Sequence, residues 1–123
     1  MLASLLHFVD NTFAIDRYPE PAWITPLSVV ESWCVVTAIA IVALARKSAD
    51  AVFFAAAGLY SLVLLSGLLH YAFGAPVHMA LRSNVTVLTE AITGVFLAGA
   101  LLLTGSRLLK SGRSYRDPEE TFP

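Results

Sequence analysis

Three stretches of this sequence, Pro26–Ala45, Ala51–Phe73 and Val85–Leu103, contain no Lys or Arg. Each is close to the ~20 residues with which an α-helix crosses the hydrocarbon core of a membrane. Composition agrees: 57% of the chain is hydrophobic and only 14% charged, whereas soluble domains carry about 25% charged residues. A soluble core of this size could not hide so much apolar side chain. The expected fold is all-α, an integral membrane protein with three transmembrane helices in an antiparallel bundle. Residues 1–25 form an N-terminal interfacial segment, 26–109 the transmembrane domain and 110–123 a disordered cytoplasmic tail.

Local signals refine these limits. Ser48 and Asp50 are N-cap candidates for the second span, which leaves a short hairpin loop behind the first. Gly74-Ala75-Pro76 ends the second span, and Ser83 or Asn84 caps the third. Leu2, Leu5, Leu6 and Val9 recur at helical spacing and predict a short amphipathic helix over residues 2–9, lying in the outer interface. Met1–Val9 lacks the basic start and long apolar run of a cleavable signal, so the segment is expected to be retained. The prolines of Asp16-Arg17-Tyr18-Pro19-Glu20-Pro21 break any helix, and Trp23 is an aromatic-belt anchor before the first span. The single cysteine, Cys34, is expected to be a buried, inert thiol.

Charge placement sets an expected orientation. Of the eight Lys and Arg, Arg46, Lys47, Arg107, Lys110, Arg113 and Arg116 fall on one side, against Arg17 and Arg82 on the other. The positive-inside rule then puts the N-terminus outside and the C-terminus in the cytoplasm, in a bacterial inner membrane. A formal net charge of −1 with no basic stripe excludes a nucleic-acid partner. The partner expected is a membrane lipid or an apolar small molecule, with a homo-oligomer or a larger membrane complex compatible with the helix faces.

Chemistry concentrates in Glu31, His70 and Glu90, the ionisable groups within the spans. A charge at the centre of a lipid-spanning helix costs roughly 2.5–3.5 kcal/mol, so such groups are paired or used. At 1.5 Å per residue Glu31 lies about 8 Å, Glu90 about 9 Å and His70 about 5 Å below the outer helix ends. Ser83, Thr86, Glu90, Thr93 and Gly94 form one stripe, with Ala98 at its small-residue edge. Tyr60, Val63, Ser66, Gly67 and His70 form a second, and Ser28, Glu31, Cys34 and Ala38 a third. The simplest packing turns all three inward around one outer-leaflet pocket, with Gly94 and Ala98 at a helix–helix contact.

In that pocket Glu90 and His70 are the candidate catalytic pair, because a buried carboxyl and an imidazole can hold or move a proton. Glu31, Thr86, Thr93 and Tyr60 are candidate ligand contacts. A metal held by His70, His78, Glu31 and Glu90 was weighed, but no HxxxH, HxxE or CxxC spacing occurs on one helix, so neither a metal nor another cofactor is expected.

Gly67-Leu68-Leu69-His70, followed by Asn84-Val85-Thr86-Val87-Leu88-Thr89-Glu90-Ala91-Ile92-Thr93, resembles the Gly-x-x-His and Asn-x-Thr-Val-x-x-Glu-x-Ile-Thr patterns of the EXPERA superfamily, which includes emopamil-binding-protein sterol isomerases. The resemblance spans residues 27–100. It implies that His70 and Glu90 are pocket residues with Asn84 beside them, and that Glu90 exchanges a proton with an isoprenoid or sterol-like double bond or pairs with a cationic amine. The sterol isomerases carry a second carboxylate where this chain has Gly74, and a further helix. Two functions follow as expectations: a Glu/His pocket that binds an apolar ligand, with isomerase-type proton transfer, or a non-catalytic accessory subunit of a larger membrane complex.

Overall fold

A computed structural model of the chain describes residues 1–18, 21–46, 48–73 and 79–114, the last three by backbone alone. His78, Gly74-Ala75-Pro76 and residues 115–123 lie outside the described residues. The helices are α1 (Leu2–Phe13), α2 (Pro26–Ala45), α3 (Ala51–Ser66), α4 (Leu69–Phe73) and α5 (Leu81–Ser114), with a 3₁₀ turn at Ile15–Arg17. Three segments are long and apolar enough to cross a membrane: Pro26–Ala45, Ala51–Phe73 and Leu81–Ser111. This is an integral membrane protein with an all-helical fold.

Caps explain the helix starts. Thr25 and Ser28 form a capping box in front of Pro26, whose missing N–H costs nothing at a first helical position. Asp50 accepts from the Phe53 N–H at 2.9 Å and also takes the Arg46 guanidinium, which holds its carboxyl down to about 2. α5 starts earlier than its cap candidates imply. Its first residue is Leu81, and Ser83 and Asn84 already lie inside the first turn with their side chains turned to other partners. At 1.5 Å per residue its 34 residues reach about 50 Å, well beyond a ~30 Å hydrocarbon core. The excess includes Arg107 and Lys110 and continues past the expected end of the membrane domain at 109.

Packing runs α1 to α2, α2 to α3, α3 to α5 and α5 back to α1, so α1 closes the fourth side of the bundle. α1 is longer than the expected 2–9 helix. Its exposed side chains are the apolar ones, Leu2, Leu6, Val9 and Phe13, while Ser4, His7, Asp10 and Asn11 are buried. In lipid that inverted arrangement is the stable one, because polar groups must find partners inside the protein. Ser4 reaches across the centre to the Tyr60 hydroxyl at 3.0 Å. Val36, Ala40, Tyr60 and Leu64 form the apolar centre below it, flanked by Leu97.

The third expected stripe is overturned. The buried face of α2 is Val29, Val36, Ala40 and Ala43, while Glu31, Cys34 and Ala38 are exposed. Glu31 stands two residues from Val29, about 200° around the helix, and so points away from the bundle. Cys34 is therefore not the buried thiol expected.

Candidate functional site

Glu90, ten residues into α5, is only 1% exposed, and its Oε2 lies 3.6 Å from Nε2 of His7, itself 4% exposed. Gly67, at the end of α3, makes this approach possible: a methyl group there would stand 3.2 Å from Glu90 Oε2 and 3.8 Å from His7 Nε2. The remaining polar atom of each side chain, Oε1 of Glu90 and Nδ1 of His7, is buried without a hydrogen-bond partner among the described residues. Native proteins rarely leave such atoms unsatisfied, at about 1–3 kcal/mol each, and an orphan asks for a reason.

Rings pack around the pair. The His7 imidazole meets His70 edge-on at 5.4 Å and Tyr18 at 5.7 Å, and Tyr18 lies tilted against His70 at 4.9 Å. Burial, together with the neighbouring His70, pushes the His7 imidazole down to about 4, so it is neutral near pH 7. Burial likewise pushes the Tyr18 phenol up to about 12, and it stays a donor.

Beyond the rings, Asp10 closes the end of the bundle at which α5 starts. Its Oδ2 accepts from Tyr18 and from Ser83, each at 2.8 Å, and its Oδ1 accepts from Arg82 Nε at 2.6 Å. Asp10 thus pins α1 to the start of α5. Asp10→Ala should destabilise the solubilised protein by about 2–5 kcal/mol, because the Tyr18 and Ser83 hydroxyls lose their buried acceptor. Arg82→Ala should cost far less, since Arg82 is 73% exposed and its half of the pair is solvated. Thermal unfolding of both variants in one detergent measures the difference; equal losses would put the weight on the ion pair instead.

A cavity of about 350 Å³ opens beside the pair, lined by His7, Asn11, His70 and Glu90 among apolar side chains that include Phe73 and Trp23. Its volume falls within the range of small-molecule sites. Trp23 is 77% exposed, so the cavity reaches the surface at the link between α1 and α2. Among the described residues, no three His, Cys, Asp or Glu side chains are placed to share a metal ion.

Of the residues singled out in the sequence, Glu90 and His70 share this cavity. Thr86 stands above it, 3.3 Å from the Tyr18 hydroxyl and donating to the Ser83 carbonyl. Asn84 accepts from the Tyr71 hydroxyl at 2.9 Å and donates to the carbonyls of Met79 and Ala80. Tyr60 and Thr93 line a different groove, with Met1, Ala40 and Leu97. Glu31 joins neither. The single pocket expected around all of them is instead a compact centre to which α1 brings His7 and Asp10, two residues the sequence reading passed over. No family model, curated protein or solved structure matches the chain.

Proposed function

We propose that this membrane protein binds a small apolar molecule, isoprenoid or sterol-like in character, in the cavity between α1, α4 and α5, and that Glu90 exchanges a proton with it. The observation that carries the reading is Glu90, whose side chain lines a largely apolar cavity and whose Oε1 is buried with no hydrogen-bond partner among the described residues. A ligand group seated there supplies the missing contact. With a ligand double bond at that oxygen, the acid adds its proton to one alkene carbon. The resulting cation loses a proton from the neighbouring carbon to the carboxylate or a histidine, and the double bond has moved with no net change in protons. His70 and Glu90 line the same cavity, and on these two residues the proposal extends to kinship with the EXPERA superfamily.

Photo-crosslinking tests the binding. A diazirine-bearing farnesol should label α1 and α4 in the purified protein, and unlabelled farnesol should compete. Uniform, uncompeted labelling of the lipid-facing sides of α2 and α5 would reject the site.

A second reading, the accessory subunit, is favoured by a groove of about 620 Å³ between α3 and α5 that is lined by Gly58, Ala98 and Gly105. Among the described residues, nothing outside its own stretch of helix lies within 4 Å of where a Gly58 side chain would start, so its smallness serves no contact among them. Under this reading Gly58→Leu leaves the isolated chain intact while a larger complex disappears from native gels. A monomer or small homo-oligomer in the wild type favours the binding protein.

For orientation, we propose that the end bearing Asp10, Tyr18 and Arg82 faces outward in a bacterial inner membrane and the C-terminus lies in the cytoplasm, on the charge asymmetry of six basic residues against two among the eight. Reporter fusions at Ser48 and after Ser111 should both read cytoplasmic, and a translocated signal at either reverses the compartment that the cavity faces.

A further inference from the structure

We propose that His7 is the group through which Glu90 exchanges its proton with the outside, so that α1 is part of the working site rather than a membrane anchor. This deepens the proposal that Glu90 handles a proton and rests on that reading. Three features of the geometry carry it.

The first is the position of the ring. His7 Nε2 faces Glu90 Oε2 at 3.6 Å, a few tenths of an ångström beyond hydrogen-bond reach and closed by a small side-chain rotation. Its other nitrogen, Nδ1, is buried and has no hydrogen-bond partner among the described residues. A neutral imidazole carries one N–H and one lone pair, so it accepts a proton on one edge and releases one from the other.

The second is access. The cavity that runs to Pro21, Ile24 and the exposed Trp23 is lined by both His7 and Glu90, and Glu90 is the more deeply buried of the two, 1% exposed against 4%. The third is restraint. His70 and Tyr18 hold the ring edge-on, and Asp10, fixed by Tyr18, Ser83 and Arg82, anchors the helix that carries it. The titratable and charged groups around His7 are thus Asp10 on its own helix, Tyr18 after the 3₁₀ turn, His70 on α4, and Glu90 with Arg82 on α5.

The transfer balances without a co-reactant. Glu90 gives its carboxyl proton to His7 Nε2, leaving a carboxylate beside an imidazolium. The imidazolium releases its Nδ1 proton to solvent through the cavity, and the ring is neutral again with its N–H on the other nitrogen. Uptake is the same sequence reversed.

Infrared spectroscopy reads this without any ligand. The full chain in lipid nanodiscs is moved from H₂O to D₂O at neutral pH, and the carboxyl C=O stretch that is missing in Glu90→Gln reports the Glu90 proton. In the wild type this band should shift as fast as the buffer mixes. In His7→Gln the shift should slow on the order of a hundredfold, the scale of a positioned proton-transfer group. Should the glutamine variant fail to fold, His7→Phe keeps the edge-on ring packing and should slow exchange equally. Ser4→Ala, which loosens the same helix at its Tyr60 contact without touching the pair, should exchange at close to the wild-type rate.

A folded His7 variant that exchanges as fast as wild type overturns the proposal, as does equal slowing in Ser4→Ala, which would make the effect one of general packing. A wild type without a band that Glu90→Gln removes overturns it together with the proton-transfer step. Loss of farnesol labelling while exchange still depends on His7 would remove the ligand and leave the proton path standing.

Discussion

Gly94→Leu should cost the bundle about 3 kcal/mol or more and lower its unfolding temperature in detergent more than any other single change at the α3–α5 contact. A Cβ at this position would stand 2.9 Å from Leu64 Cβ, 3.1 Å from Leu65 Cγ and 3.2 Å from the Ser61 carbonyl oxygen. Two of those atoms lie at or next to the backbone of α3, and Leu64 is completely buried, so no flexible tip can swing aside. The helices must part, and parting also breaks the buried bond from Ser61 Oγ to the Gly94 carbonyl at 2.9 Å. Overpacking a well-packed core costs about 1–3 kcal/mol before that bond is counted. Even Gly94→Ala should destabilise. Gly58→Ala supplies the contrast, because open space lies over Gly58 and alanine is the better helix former by up to ~1 kcal/mol. Melting curves of the three variants in one detergent decide the matter: an unchanged Gly94→Leu profile would mean that this face meets lipid.

The difference between these two glycines also marks what a sequence can disclose here. Gly94 was legible because it shares a stripe with Ser83, Thr86 and Glu90, and in lipid such a stripe turns toward protein. The spans were legible because the bilayer sets a length rule independent of any partner. The Asp50 cap was legible too, since the capping side chain lies beside the backbone groups it satisfies. Ser83 and Asn84 misled for a related reason. Both are good caps by type, but partners distant in sequence, Asp10 and Tyr71, hold their side chains inside the helix.

Depth in the membrane was readable, and azimuth was not. Glu31 and Glu90 sit at comparable depths by residue count, yet one faces out and the other is buried, because the direction a helix turns depends on its neighbours. His7 and Asp10 were missed through an assumption about α1. Leu2, Leu5, Leu6 and Val9 were assigned to lipid, and their exposure agrees, but the opposite face was left to water. Ser4, His7 and Asn11 recur there at i, i+3 and i+7, with Asp10 three residues after His7. In a chain whose spans already hold Glu90 and His70, such a polar stripe has two destinations, and the protein interior is one of them.

At Glu90 itself the substitution by glutamine separates the proposals. Gln keeps the shape and the hydrogen-bonding capacity of the carboxyl, and it neither gives up a proton nor carries charge. With Glu90 as the working acid, Glu90→Gln should leave the melting profile within error of wild type, because Oε1 has no partner to lose and the contact to His7 is longer than a hydrogen bond. Isomerase-type turnover should vanish. Farnesol labelling should weaken by about 10–100-fold, the worth of a hydrogen bond to an ionisable group. Glu90→Leu should lose function equally and also melt lower, since a branched apolar side chain replaces the flat carboxyl packed against Gly67 and His7. A purely architectural Glu90 gives the reverse order. There Gln substitutes with labelling intact, and only Leu does harm. The two substitutions, followed side by side by melting and by crosslinking, therefore tell a proton-handling site from a packing contact: full labelling in a folded Glu90→Gln protein would leave the helix-docking subunit as the better account of this chain.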